Sequence, residues 1–348
     1  LSVLDWLDHN TSITEIKEGF KNTYPDLAPR VAYAEGADFI SPDLEPHFRA
    51  VVLLYTVFLN NAIDLIPVAE RYGTRFAFTL YPGGGLDLAD EASRSKLVRV
   101  FSHPLFAGVL ITQPHTLRAI ERSFPELRKK NQIEYIFGGV LQDVPAENLM
   151  PRADGPKKEL IDICFFANRY DPNGLDKGAD VYADSIGYLK NKTDMNRLRF
   201  HAIGPWRSED FRSAGVSIEI HGQIDNAELP SLLARMDIAI FPTRVGVLGA
   251  GSFDGFPVGA AIEAAKSGVA LISTNPLRQK TPLKKGKSYL GIQPTARSAA
   301  KALLTLIESP TRLARLKARG FDDFSTVFSL QSQMRPRVAF LTRCAYGF

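Results

Sequence analysis

The sequence predicts an α/β protein built of two doubly wound parallel-sheet domains that face each other across a cleft. Three observations carry that expectation. The 348 residues suffice for about two domains of ordinary size, about 150 residues each. Apolar strand-like runs alternate with amphipathic helix-like stretches along most of the chain, the pattern of βαβ units and parallel sheets. The alternation breaks once, over residues 144–158 (VPAENLMPRADGPKK), where proline and charge replace apolar periodicity as in a linker. The expected units are therefore residues 1–150, residues 151–323, and a C-terminal piece, 324–348, with no strand of its own.

In the first unit the expected strands are 50–59 (AVVLLYTVFL), 75–81 (RFAFTLY), 108–112 (GVLIT) and 133–137 (IEYIF), separated by helix-like stretches through Arg71, over 87–101 and over 114–123. The second unit repeats the alternation with sharper definition. Its strands are 161–167 (IDICFFA), 198–204 (LRFHAIG), 216–221 (VSIEIH), 238–242 (IAIFP) and 269–274 (VALIST), with helices over 177–190, 228–236, 258–267 and 298–319. In open parallel sheets ligands sit beyond the carboxyl ends of the strands. The site is expected between the two units.

Composition excludes other classes. A chain that is 45% hydrophobic and 23% charged can bury sizeable cores, unlike a disordered or fibrous one. The run over 50–59 is about half the length that spans a bilayer, so it reads as a buried strand. The opening LSVLDWLDHNTS lacks the basic start and apolar core of a signal peptide. The two cysteines, Cys164 and Cys344, lie far apart and suggest neither a disulfide framework nor a metal knuckle. The expectations are a cytoplasmic protein and no metal. The net charge of +4 is small, but residues 1–150 carry 14 basic and 19 acidic residues, a net of −5, against 28 and 19 in the remainder, a net of +9. The second half is the one expected to meet anions.

The most informative segment is 254–275 (DGFPVGAAIEAAKSGVALISTN). Gly255 and Gly259 let backbone approach a ligand, and a helix starting near Val258 turns its positive end and free N–H groups toward the cleft. Glu263, about one turn in, is placed to accept bonds from two ribose hydroxyls, the part an acidic residue plays in dinucleotide folds. The small residues Ala260, Ala261, Ala264 and Ala265 allow close helix–sheet packing, and Ser267–Gly268 ends the helix.

This segment resembles the signature of the retaining GT-B glycosyltransferases of family 4, the large family that includes sucrose synthases and phosphatidylinositol mannosyltransferases. Its GT-B fold is two facing Rossmann-like domains. The family signature runs from an acidic residue through Gly-Phe-Gly and Pro-Val to a second Glu opening E-A-x-A-S-G. Here eight residues separate Asp254 from Glu263 where seven are usual, and Asp stands for the usual Glu. Three further segments fit in order. FFANRYDPNGLDKG (165–178) resembles the strand and loop whose Arg and Lys hold the donor diphosphate, which assigns Arg169 and Lys177; Asn168 replaces a customary Gly. HAIGPW (201–206) resembles a strand end with Gly204, and IEIHGQIDNAELPSLLARMDIAIFPTR (218–244) resembles the run that leads through the base pocket to Thr243.

The resemblance implies transfer of a sugar from a nucleotide-diphosphate donor to a glycan, glycolipid or small-molecule acceptor, with retention, in bacterial surface-polysaccharide or glycoconjugate assembly. The implied catalytic residues are Arg169, Lys177, Asp254 and Glu263. The implied donor-binding residues are Gly204, His221, Gln223, Ile224, Thr243, Gly255 and Phe256, with Gly83 and Gly84 contributed by the loop RFAFTLYPGGG (75–85). No cofactor beyond the nucleotide sugar is implied, since cations of the chain serve the leaving diphosphate. Tyr81 stands where the family puts a histidine. Gln113 is expected to face the cleft, and His103 and His115 are the other polar candidates of the first unit. Two other readings fit the residues: a sugar-nucleotide epimerase of the same fold, and a catalytically silent subunit that binds a glycan or a partner. The cluster Arg278, Lys280, Lys284, Lys285 and Lys287 reads as a solvated loop or as a contact for an anionic acceptor or the inner membrane face. Nucleic acid is not expected, because no aromatics interleave with these charges.

Overall fold

Strand β1 (Leu54–Val57) opens the ordered part of the first domain in a computed structural model that describes residues 51–141, 160–225 and 228–347. The first fifty residues and the whole of the expected linker lie outside the described residues. After β1 come α1 (Leu59–Tyr72), β2 (Phe76–Leu80), α2 (Glu91–Phe101), β3 (Phe106–Ile111), α3 (Pro114–Ser123), α4 (Pro125–Lys129) and β4 (Ile133–Tyr135). The four strands pair in parallel in the order β1-β2-β3-β4. β2 and β3 are buried on both faces, which is why they read as apolar runs, broken only by Thr79 in β2. The run expected as one strand over 50–59 is shorter: the backbone turns at Phe58, in the left-handed region at φ 69°, and α1 begins at Leu59. Asp90 caps α2 by accepting from the Ser93 N–H at 2.8 Å, and Gly73 ends α1 in the left-handed conformation that suits glycine.

The second domain runs β5 (Ile161–Phe166), α5 (Ala179–Gly187), β6 (Leu198–Ile203), β7 (Glu219–Gly222), α6 (Leu229–Leu233), β8 (Ile238–Phe241), α7 (Gly259–Lys266), β9 (Ala270–Thr274), β10 (Leu290–Ile292), α8 (Ala296–Ile307) and α9 (Pro310–Val327). Its six-stranded sheet has the order β10-β9-β8-β5-β6-β7, parallel throughout. The order reverses between β5 and β8, so their carboxyl ends frame the crevice in which such sheets bind ligands. Three-residue β10 is too short to register as an apolar run, and α9 continues past residue 323, where a boundary was expected. The sheet is covered on both faces. Ile163, Phe165, Phe200 and Ala202 point into one core with α5 and α8, while Cys164, Ile203, Ala239 and Leu271 point into the other with α6, α7 and α9.

α10 (Leu330–Tyr346) leaves the second domain and lies against β2 and β3 of the first. Phe340 and Cys344 pack there with Ala77, Ala107, Leu110 and Ile136. The buried Gln333 and Arg337 donate to the carbonyls of Phe137 and Gly138. Those carbonyls belong to the segment that follows β4 toward the cleft, so α10 ties that segment to the helical end of the chain.

Candidate active site

A cleft of about 480 Å³ lies between the domains at the reversal point of the second sheet. From the second domain it is lined by the β5 end (Phe165 to Asn168), Tyr170, Lys177, Phe241, Thr243, Asp254, Gly255, the run from Pro257 to Ala260, and Ile262, while the expected Phe256 is buried in the core beside it. From the first it receives Phe58, Tyr81, Pro82, Gln113 and the residues from Gly138 to Leu141.

Two of the expected catalytic residues meet here. Lys177 is buried, and its Nζ lies 2.6 Å from Asp254 Oδ2 and 3.7 Å from Asp176 Oδ2. It also stands 4.6 Å from the centre of the Tyr170 ring, an arrangement in which a cation gains from the ring face. Burial pushes the Asp176 carboxyl above its ordinary range, while the adjacent Lys177 ammonium pulls it back. Lys177 is held from behind by Gly178 at φ 77°, where a Cβ would stand 2.3 Å from the Pro242 carbonyl oxygen. Only glycine lets the β5–α5 loop pass that close to β8.

The α7 N-terminus opens into the same space. Pro257, Val258, Gly259 and Ala260 all line the cleft, and no side chain caps the first turn. Unsatisfied N–H groups and the positive end of the helix dipole suit an anion there. Glu263 lies within α7 behind this turn and outside the cleft lining. It is half-buried, and burial alone raises its carboxyl above the ordinary range. Ionising a group whose folded-state pKa is raised costs stability as pH rises, so the wild type loses stability toward pH 8 for this reason and regains it below about pH 4.3, the unfolded carboxylate value. Glu263→Gln is expected to melt higher than wild type at pH 8 and to converge with it near pH 4. Thermal melts across that range check this, and a variant that melts lower at every pH contradicts it.

Gln113 joins the domains. Its Oε1 accepts from the Phe256 N–H and from Gln279 Nε2, each at 3.0 Å, and Gln279 Oε1 accepts from the His115 N–H. Gly255 lies beside it, where an added Cβ would come within 2.8 Å of Gln113 Nε2 and displace the amide. Thr243 is buried in the lining and shares a hydroxyl hydrogen bond of 3.0 Å with Thr274.

The other expected residues are placed apart. Arg169 pairs with Asp210 at 2.8 Å, donates to the Pro172 carbonyl and stacks 5.7 Å from the Trp206 ring, outside the lining. Gly204 sits at φ 123° where a Cβ would strike the Ala167 carbonyl, so it packs the β6 end against the β5 end. Gln223 and Ile224 follow β7 without lining the cleft, and burial lowers the pKa of nearby His221. Gly83 and Gly84 are exposed, with Gly84 at φ 54° against the Phe58 ring; Pro82 is the part of that loop in the lining. His103 bonds Glu70 at 3.2 Å and packs on Phe76, a structural arrangement. His115 packs edge-on against Phe253, and its imidazole is held below the ordinary range mainly by burial.

Comparison with known proteins decides what the second domain is. Residues 161–309 match the family described as glycosyl transferases group 1. The second domain is a group 1 glycosyltransferase domain. No curated protein matches the chain significantly. Among solved structures, Anabaena HepE in complex with UDP-glucose aligns with 98% of this chain and 99% of its own at 12% identity and a TM-score of 0.67. A glycosyltransferase from Rickettsia africae aligns with 97% of this chain and 89% of its own, at 13% identity and TM-score 0.67. Sucrose-phosphate synthase from Thermosynechococcus elongatus aligns with 96% and 78%, at 15% identity and TM-score 0.60. At such identities the likeness is one of fold, and the fold is GT-B.

Tyr170 in the cleft lining and the buried Gln279 behind Gln113 are residues that no motif in the sequence singles out. Their roles depend on contacts with Gln113 and Lys177 that no local motif announces.

Proposed function

We propose that this chain is a retaining glycosyltransferase that moves a sugar from a nucleoside-diphosphate donor to a carbohydrate or glycolipid acceptor, in bacterial surface-polysaccharide or glycoconjugate assembly at the cytoplasmic side. The observation that carries the reading is the Lys177–Asp254 pair set beside the open N-terminus of α7, in a cleft walled by a group 1 glycosyltransferase domain. A leaving diphosphate develops charge as the glycosidic bond breaks, and preorganised cations and N–H groups stabilise it without reorganisation. Lys177 has three donors, so its ammonium can hold Asp254 and a phosphate oxygen together. Asp254 and the backbone at Gly255 position the sugar, and Glu263 takes the ribose hydroxyls that its half-buried carboxylate lacks. The departing phosphate removes the acceptor proton on the same face, and no metal takes part. Tyr81, Phe58 and the Gly138–Leu141 segment form the acceptor wall.

Membrane contact is part of the proposal. No helix among the described residues is long and apolar enough to cross a membrane. A hollow of about 930 Å³ is lined by Lys284, Lys287, Arg312, Arg315 and Arg319 without an acidic residue, and each basic side chain near an anionic leaflet contributes about 1 kcal/mol.

A second reading, a silent donor-binding subunit, is favoured by one observation: Arg169, the other diphosphate cation, is engaged by Asp210. Incubation with UDP-, GDP- and ADP-sugars, with and without glycan acceptors and anionic vesicles, separates the two. Transfer is expected to release nucleoside diphosphate and retain the anomer, with the protein co-floating with anionic but not neutral vesicles. Thermal stabilisation by a nucleoside diphosphate without turnover supports the silent subunit. Neither stabilisation nor turnover overturns both readings.

A further inference from the structure

On the face of the second sheet that carries α6 and α7, the edge strand β7 and its neighbour β6 bring three ligand-type side chains to one point. Because alternate residues share a sheet face, Glu219 and His221 of β7 point the same way, and the register pairs His201 of β6 with Glu219. His201 Nδ1 lies 3.1 Å from His221 Nε2 and 3.4 Å from Glu219 Oε2, and His221 Nε2 lies 3.7 Å from Glu219 Oε1. Ligand atoms about 2.0–2.1 Å from a tetrahedral Zn²⁺ stand about 3.3 Å from one another, in the middle of that range.

The surroundings select the donor atoms. His201 is buried, and its Nε2 bonds Asp162 Oδ1 at 2.9 Å. Asp162 is itself fixed by Arg199 through bonds of 2.6 and 2.8 Å. The carboxylate therefore takes the Nε2–H and leaves the Nδ1 lone pair aimed at the cluster, the supporting arrangement found behind metal-bound histidines. Two imidazoles and one carboxylate suit a borderline ion, and hard cations prefer all-oxygen sets.

We propose that His201, Glu219 and His221 form a Zn²⁺ site that clamps β7, the outermost strand, to β6. The site stands outside the interdomain cleft and is independent of the glycosyl-transfer reading. It holds the strand from which the chain continues into Gln223 and Ile224.

The test uses the full chain, stripped with a chelator and titrated with Zn²⁺ in competition with a chromogenic chelator. Binding of one Zn²⁺ per chain at micromolar or tighter affinity is expected, with Mg²⁺ and Ca²⁺ failing to compete. Co²⁺ should give visible d–d absorption that Zn²⁺ abolishes. His221→Ala should weaken binding at least about 100-fold, and Glu219→Gln, whose side chain is 61% exposed and free of any folding burden, at least about tenfold; both should keep the wild-type circular dichroism. Absence of saturable 1:1 binding in the wild type, or unchanged affinity in both variants, overturns the proposal.

Discussion

Lys177→Met is expected to lower the rate of donor turnover by about 10²–10³-fold, the usual cost of removing one preorganised group that stabilises developing negative charge. The substitution keeps the length and apolar stem of the side chain, so packing against Tyr170 persists and the loss reports the charge. It also leaves Asp176 and Asp254 facing each other without the cation between them. Removing one partner of a fully buried pair costs about 3–5 kcal/mol. The cost here is smaller, about 1–3 kcal/mol, because the Asp254 side chain is 26% exposed to the cleft and screened there. The pH dependence has a definite sign. Burial raises the Asp176 pKa and Lys177 opposes that rise; without Lys177 the pKa climbs further, and ionising Asp176 costs more stability as pH increases. The variant should therefore lose stability relative to wild type as pH rises above about 3.9, the unfolded aspartate value, and recover part of it below. Donor-turnover kinetics and melts across that range measure both effects. Turnover within about threefold of wild type would remove Lys177 from the chemistry.

What could be read in advance follows from the range of the interactions. The strands of the second domain were legible because a parallel strand buried on both faces is apolar at nearly every position, as β8 shows throughout and β5 shows at all but Asp162. The 254–275 segment was legible because its glycines, alanines and acids act locally, in one turn and one helix. Arg169 read as a diphosphate ligand from its loop, but its orientation is decided by Asp210, forty-one positions away. The His201, Glu219 and His221 cluster was missed for a similar reason. Glu-x-His on one strand face is visible in IEIH, but only the pairing of β6 with β7 adds the second imidazole. Gln113 was legible as a residue at a strand end, and its bonds to Phe256 and Gln279 depend on how the two domains meet.

Phe340→Ala should be the most destabilising single substitution in the C-terminal helix, at about 3–5 kcal/mol for a buried phenylalanine. The ring is fully buried among Ala77, Ala107, Leu110, Ile136 and Cys344. It occupies the space that a Cβ on Gly108 would need: such an atom would stand 2.7 Å from Phe340 Cζ and 3.0 Å from Cys344 Sγ. Glycine in the middle of β3 is otherwise unfavourable, and the close approach of α10 explains it. This gives a second, sharper expectation. Gly108→Ala alone should destabilise the protein by forcing the ring outward, yet in a Phe340→Ala background the added methyl enters the vacated space and its cost should fall or reverse. Neighbours in contact are expected to deviate from additivity by about 0.5–3 kcal/mol. Val338→Ala, at a position 54% exposed on the same helix, should stay within about 0.5 kcal/mol and serves as the control. Denaturant unfolding of the four variants measures these differences. Additive costs for Gly108→Ala and Phe340→Ala would mean that α10 does not seat on β3 through this pair. Because Gln333 and Arg337 of the same helix hold the Phe137 and Gly138 carbonyls, loosening α10 should also raise the KM for the acceptor under the proposed function, in which Gly138 begins the acceptor wall.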